Sequence, residues 1–299
     1  MKVSYLNDQF FSRLETLALH LRSNLAGYFG GKHLVNTYGQ TVEFADYREY
    51  QLGDDIRRID WNLYSRFEKY FLKLFTDERQ MQVQIFLDCS ASMGKDNDQK
   101  SAYAIATAAA IGFLAVHNMD KVSFHVMREN KAENPFGTII GKKAFFRAIG
   151  ELEKQDFDLD ADVESCVLSC PDTSANNGLT VIISDFFTES NWKKAVDYLC
   201  YKKRQVLLVQ VMTPEEINPA YDGHVNLIDS ESVDFADTKN MKIKITRAMQ
   251  KAYEEALADY REDMKTFCTK RGVDYVTLST DMPLEKVLFN QLLKVGIMA

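Results

Sequence analysis

The chain has 299 residues and a formal net charge of −7, enough for a parallel-sheet domain with an extra segment but short of two full domains of ordinary size. Its 46% apolar and 26% charged residues predict a large buried core and exclude extensive disorder. The acidic balance comes with no long Lys/Arg block and no aromatic-basic stripe, which argues against nucleic-acid binding as a main role.

The N-terminus MKVSYLNDQFFSRLE lacks the uninterrupted apolar core of a signal peptide, and no apolar run is read as long enough to span a bilayer. A cytoplasmic protein is expected. Cys89, Cys166, Cys170, Cys200 and Cys268 form an odd, scattered set without a C-x-x-C pair, which fits a reducing compartment. Cys166 and Cys170 share a predicted helix face and are read as small core residues. The histidines show no metal-ligand spacing.

Residues 5–27 carry Phe10, Phe11, Leu14, Leu17, Leu21 and Leu25 at helical spacing, with Gly27, Gly30 and Gly31 as a stop. The next stretch, to about residue 75, has little periodicity and reads as irregular. It is dense in aromatics and in both signs of charge, including Asp46, Arg48, Asp54, Asp55, Arg57, Arg58, Asp60 and Arg66. Arginine binds carboxylate in a planar fork, so these charges can satisfy one another and staple the N-terminal segment to the sheet, with Trp61 as an anchor in the join. A docking surface for a partner, or a second anion or cation site, is the competing reading of GDDIRRIDW.

From Met81 a run rich in Val83, Ile85, Phe86 and Leu87 stops at Asp88, passes through small polar residues, and resumes as an Ala-rich helix from about Gln99 to His117. This is strand, loop, helix. Ligands of open α/β sheets bind beyond the carboxyl ends of strands, where the loop puts Asp88, Ser90 and Ser92. One carboxylate and two hydroxyls are hard oxygen donors suited to Mg2+ or Mn2+, with Ca2+ a further candidate. The plainer reading is that these residues cap the next helix.

The Asp-x-Ser-x-Ser pattern with Met93 and Gly94 resembles the metal-ion-dependent adhesion site of von Willebrand factor A (vWA) domains. There, one carboxylate beside two hydroxyls leaves a divalent ion undercompensated, so that a partner's Asp or Glu completes the shell. Gly31, His33, Glu43, Phe44, Arg48, Tyr50, Gly53 to Asp55, Arg57, Ile59 to Trp61 and Arg66, followed by this loop, resemble the signature of the family called domain of unknown function 58. The resemblance implies an N-terminal segment beside a vWA domain, and a partner that is a MoxR-type AAA+ ATPase or its client.

Farther along, Val122–Arg128 alternates as a strand, Phe136–Ile140 reads as an edge strand and Ala144–Leu152 as a helix. Asp160 or Asp162 suits the cap of a helix running to Cys170. The resemblance implies a metal-ligating Thr in this region, but no Thr lies between Thr138 and Thr173. Asp158, Asp160 or Asp162 are the substitutes, or water fills the gap. The run Leu179, Val181, Ile182, Ile183 ends at Ser184 and Asp185 before a helix from about Asn191 to Tyr201. Asp185 matches the place of an Asp that lies near the metal in vWA proteins; capping is its plainer role.

Val206–Met212 is a further buried strand. Two short alternating runs between Gly223 and Ile245 suggest an appended hairpin, Thr246–Arg271 a long helix ended by Gly272, Val273–Leu278 a last strand and Pro283–Val295 a last helix. The expected architecture is α/β: a vWA-like, Rossmann-like, mostly parallel sheet with helices on both faces. Its expected divisions are 1-78 and 79-299, the hairpin lying near 223-245.

Three functions fit. The first is a non-enzymatic interaction module with its metal at Asp88, Ser90, Ser92 and Asp185, extended to Asp160 or Asp162. The second is a Mg-dependent phosphatase-like enzyme with Asp88 as nucleophile, against which Ser90 stands where a second Asp would act as general acid. The third is an adaptor with a degenerate metal site. Walker and G-x-G-x-x-G loops are lacking, so nucleotide binding is not expected.

Overall fold

The computed structural model describes residues 5–25, 42–51, 54–77, 81–94, 98–171, 178–188, 191–219, 223–227 and 241–284. The chain forms two compact units, one comprising Arg22–Gln80 and the other Met1–Leu21 with Met81–Met298. Helix α1 (Asp8–Leu25) therefore contributes its residues through Leu21 to the larger unit, rather than to the 1-78 segment in which its sequence position groups it.

In the smaller unit, strands β1 (Val42–Glu49) and β2 (Phe71–Asp77) pair antiparallel, with a bulge between Phe44 and Asp46. This corrects the reading of the stretch as irregular. The bulge interrupts the two-residue period by which a strand is recognised, so the pairing leaves little trace in the pattern. Between the strands lie a 3-10 turn, Ile56–Arg58, and helix α2 (Trp61–Phe67). The acids serve local backbone and charge: Asp54 binds Arg48 at 2.8 Å, Asp55 accepts from Arg57 N, and Asp60 accepts from Asn62 N and Leu63 N. Trp61 is 61% exposed and meets Tyr64 and Tyr70 edge to face, whereas Ile59 and Asp60 are buried.

The larger unit alternates strand and helix. In order, they are β3 (Gln82–Asp88), α3 (Ala91–Gly94), α4 (Asp98–His117), β4 (Lys121–Arg128), β5 (Lys131–Glu133), α5 (Lys142–Leu152) and α6 (Val163–Ser169). Then come β6 (Gly178–Ser184), α7 (Trp192–Tyr201), β7 (Gln205–Met212), α8 (Pro214–Ile217), β8 (Gly223–Leu227), β9 (Met241–Ile245), α9 (Arg247–Arg271) and β10 (Asp274–Ser279). Six strands form one sheet in the order β10-β7-β6-β3-β4-β5, all parallel except β5.

This is the expected α/β sheet with helices on both faces. Val83, Ile85 and Leu87 of β3 join Phe10 and Leu14 of α1, Ala106, Ala109 and Phe113 of α4, and Phe145 of α5 on one face. On the other, Phe86 and Ile182 pack with Cys166 of α6, Trp192 and Leu199 of α7, and Met264 and Cys268 of α9. Strands covered on both sides read as continuous apolar runs, which is why β3, β6 and β7 are plain in the sequence.

Three expectations are adjusted. The edge strand is Lys131–Glu133, while of the expected Phe136–Ile140 segment Ile139 makes an isolated bridge to Val122. One stretch, Gln99–His117, is long and apolar enough to cross a membrane by length and composition, although no such run was expected; 83% of its window is buried within the fold. The β8–β9 hairpin is present, and the expected helix Pro283–Val295 lies almost wholly outside the described residues. All five cysteines are free; Cys166 and Cys170 are buried.

Candidate functional site

Strand β3 lies between β4 and β6, and the helices that follow β3 and β6 pack on opposite faces, α4 on one and α7 on the other. Chain direction thus switches between β3 and β6. A crevice opens at the carboxyl ends of strands at such a switch, because the two connections leave in opposite directions. Asp88 ends β3, and Ser184 ends β6 with Asp185 next.

The two strand ends are joined directly. Ser184 Oγ donates to Asp88 Oδ2 at 2.5 Å, and Asp88 Oδ1 accepts from Ser90 N at 2.9 Å, folding the loop back over its own strand end. Ser90 Oγ and Ser92 Oγ are 3.1 Å apart. Met93 and Gly94 fix the loop from beneath: Met93 is fully buried in the core, and a Cβ on Gly94 would collide with the Phe157 side chain. The sequence therefore brings Asp88, Ser90, Ser92 and Asp185 to one place.

Asp160 and Asp162 are used differently. The segment does lie against the loop, since Ala91 N donates to Leu159 O at 2.7 Å, but Asp160 Oδ1 accepts from Ala161 N and is exposed. Asp162 caps α6, accepting from Ser165 N and Ser165 Oγ. Among the described residues no group of three or more His, Cys, Asp or Glu side chains is arranged to hold a metal.

The residue that pattern reading missed is Lys100. It is 1% exposed, and its ammonium donates to Asp185 Oδ2 at 2.8 Å, Glu216 Oε1 at 2.6 Å and Ser92 O at 3.2 Å. The signal was a cation in the first turns of an otherwise apolar, Ala-rich helix. Glu216 comes from α8, where a capping box formed with Thr213 holds it in place. The other oxygen of Asp185, Oδ1, accepts from Phe187 N at 3.0 Å. Between them Phe186 takes a left-handed backbone, φ 58°, and is pinned by Ser184 Oγ at its N–H and by Tyr260 at its carbonyl.

Charge explains the balance. Burial, and then the negative charge of Asp185, push the Asp88 carboxyl up to about 6 from its ordinary value, while hydrogen bonds from Ser184 and Ser90 pull it down. Burial also works against the Lys100 ammonium, but Asp185 and Glu216 more than offset it, so its pKa lies above the usual lysine value. Two buried acids and one buried base thus share the site, with Glu216 partly open to solvent.

Fold and strand-end geometry define a doubly wound α/β protein with a polar site at its switch point. The chain matches the family described as "Protein of unknown function DUF58" over residues 46–263, and it belongs to that family. It is 26% identical over 273 residues to uncharacterised proteins of Mycobacterium bovis and Mycobacterium tuberculosis, covering 90% of this chain and 84% of each of those. Among solved structures it is similar to the conserved hypothetical protein BatB from Bacteroides thetaiotaomicron. That match has 16% identity and a TM-score of 0.41, and covers 72% of this chain and 98% of that one. A von Willebrand factor type A structure from Catenulispora acidiphila matches at 10% identity and a TM-score of 0.32, over 48% of this chain and 35% of that one.

Proposed function

We propose that this protein is a non-enzymatic, vWA-type interaction module of the cytoplasm. In this reading it takes a divalent cation, Mg2+ or Mn2+, at Asp88, Ser90 and Ser92 and grips an acidic side chain of a partner through it. The observation that carries this reading is the convergence of the Asp88 loop and the Ser184–Asp185 strand end at the sheet's switch point. The donor set fits such an ion. Ser90 Oγ and Ser92 Oγ are 3.1 Å apart, close to the ~3 Å between neighbouring oxygens of an octahedral shell with Mg–O distances of about 2.1 Å. Asp88 accepts from Ser184 Oγ, Ser90 N and the Ser90 hydroxyl, three of the roughly four lone-pair sites of a carboxylate, so a site remains for a cation, and the Ser90 hydroxyl can turn its oxygen to the same ion.

A bound dication supplies positive charge at the crevice mouth. The chain's own part is to hold its oxygens with a single close carboxylate, so that charge is left over for a partner's Asp or Glu. Five free cysteines agree with work in a reducing compartment. The partner proposed is a MoxR-type AAA+ ATPase or a client of one, as the resemblance to the domain of unknown function 58 family implies.

Titration calorimetry with Mg2+ and Mn2+, followed by pull-down of a MoxR-type ATPase with and without chelator, tests the proposal. Wild type should bind ion and partner, and Asp88→Ala neither. Equal binding by both chains would overturn the site, and capture indifferent to chelator would overturn its metal dependence.

A further inference from the structure

The ammonium of Lys100 is paired with Asp185, the carboxylate that the sequence offers as support for the ion. It lies 2.8 Å from Asp185 Oδ2 and 2.6 Å from Glu216 Oε1, and the Lys100–Asp185 pair is almost wholly sealed from solvent, at 1% and 3% side-chain exposure. A buried ammonium survives only when paired, and a buried carboxylate likewise. Each therefore offsets part of the cost of burying the other, and Glu216 adds to the support of the ammonium.

Lys100 also donates to Ser92 O, on the backbone of the loop that carries the candidate ligands. It thus touches both halves of the site, the Ser90–Ser92 loop and the end of β6, as a cation between them.

We infer that Lys100 is the resident counter-cation of this site: it neutralises Asp185, leaves Asp88 as the carboxylate open to a divalent ion, and sets how tightly that ion is held. The inference rests on the cation reading of Asp88, Ser90 and Ser92. Its consequence is a division of labour between the two strand-end acids. Asp185 belongs to the protein's internal charge balance, and Asp88 to the ion.

With Lys100 in place, a dication faces one carboxylate that has no cationic partner, Asp88, and a nearby positive charge, so its binding is weak and its need for an outside anion is high. Without Lys100, Asp185 and Glu216 lose their partner, and the crevice becomes an acidic pocket that a dication satisfies internally. The residue therefore tunes the site away from a closed metal store and toward recognition of a partner's carboxylate.

The test uses the full chain and Mn2+ alone, with binding followed by calorimetry and folding by thermal unfolding. Lys100→Gln keeps a donor toward Asp185 without the charge, Lys100→Met removes both, and Lys100→Arg keeps the charge. The neutral variants should bind Mn2+ about tenfold more tightly than wild type or better, as removal of a like charge at short range implies, and their unfolding temperatures should rise on adding Mn2+. Lys100→Arg should bind no more tightly than wild type. If Lys100→Met does not fold, Lys100→Gln carries the comparison, and folding of either variant only with Mn2+ supports the inference.

Equal Mn2+ affinity in all four chains would overturn the role of Lys100 while leaving the Asp88 site standing. Tighter binding by Lys100→Arg as well would reduce the effect to packing and overturn it too. Binding by the neutral variants alone, with wild type silent, would support Lys100 as the resident cation and overturn the native metal site. No binding by any chain would overturn the cation site itself, and the inference with it.

Discussion

Asp88 and Ser184 lie 96 positions apart in sequence, yet the serine hydroxyl donates to the aspartate carboxylate at 2.5 Å. This bond ties the ends of the two strands between which the sheet changes direction, and it gives a buried carboxylate a partner inside the protein. Ser184 Oγ also accepts from Phe186 N, so the same atom holds the backbone turn that presents Asp185.

Replacing Ser184 by Ala removes both bonds while changing little volume. One buried acceptor and one buried donor are then left unmatched, each costing about 1–3 kcal/mol. The variant should unfold at lower urea concentration with an unchanged dependence on denaturant, and should take up a divalent ion less well if the Asp185 turn relaxes. A midpoint equal to wild type would show that the bond carries no stability.

The other end of the β3–β6 seam is closed by Arg204. Its Nε donates to Thr180 Oγ1, and its Nη2 donates to Gln82 O and Leu179 O at 2.9 Å, while burial lowers its pKa to about 10. A cation at neutral pH is thus held in part by three neutral acceptors. Arg204→Met should cost about 2–4 kcal/mol by stranding these acceptors. At Gly178, an added Cβ would collide with Gln82 O and come 2.8 Å from Arg204 Nη2, so Gly178→Ala should cost about 1–3 kcal/mol by overpacking. Urea unfolding of the two variants measures both.

Gly94 closes the loop that presents Ser90 and Ser92. A Cβ there would lie 2.7 Å from Phe157 Cγ as well as against its Cβ, so Gly94→Ala should destabilise by about 1–3 kcal/mol. Trimming Phe157 to Ala in the same chain should recover part of that loss, since it removes the clash. Thermal unfolding of the single and double variants gives the coupling directly; simple additivity would show that the two side chains do not meet.

Asp120 supplies a pH dependence away from the site. Its Oδ1 accepts from Met81 N at 2.8 Å, but partial burial pushes its pKa up to about 6 from 3.8, outweighing that bond. A carboxyl that holds its proton more tightly when folded favours the folded state at low pH, so its contribution falls as pH rises from about 4 to about 6. Asp120→Asn keeps an acceptor for Met81 and removes the charge. It should stabilise the protein at pH 7 by roughly 1 kcal/mol, a figure reduced for solvent screening, and show no gain at pH 3.5. Urea unfolding at the two pH values reads the difference.

The sequence by itself determined the doubly covered sheet, the hairpin and the positions of Asp88, Ser90, Ser92 and Asp185 at strand ends. Buried parallel strands must be continuously apolar, and they must stop where polar chemistry begins. Tertiary structure alone decided what those residues face. The β1–β2 pair was hidden because a bulge breaks its alternation, and the exposure of Trp61 is something that no local pattern records. Lys100 and Glu216 are 116 positions apart, so nothing in their neighbourhoods announces that they share an ion pair with Asp185. Periodicity reports which face of an element is buried, but the partner of a buried charge is chosen by the packing of distant segments, and here that packing placed an ammonium beside the acids.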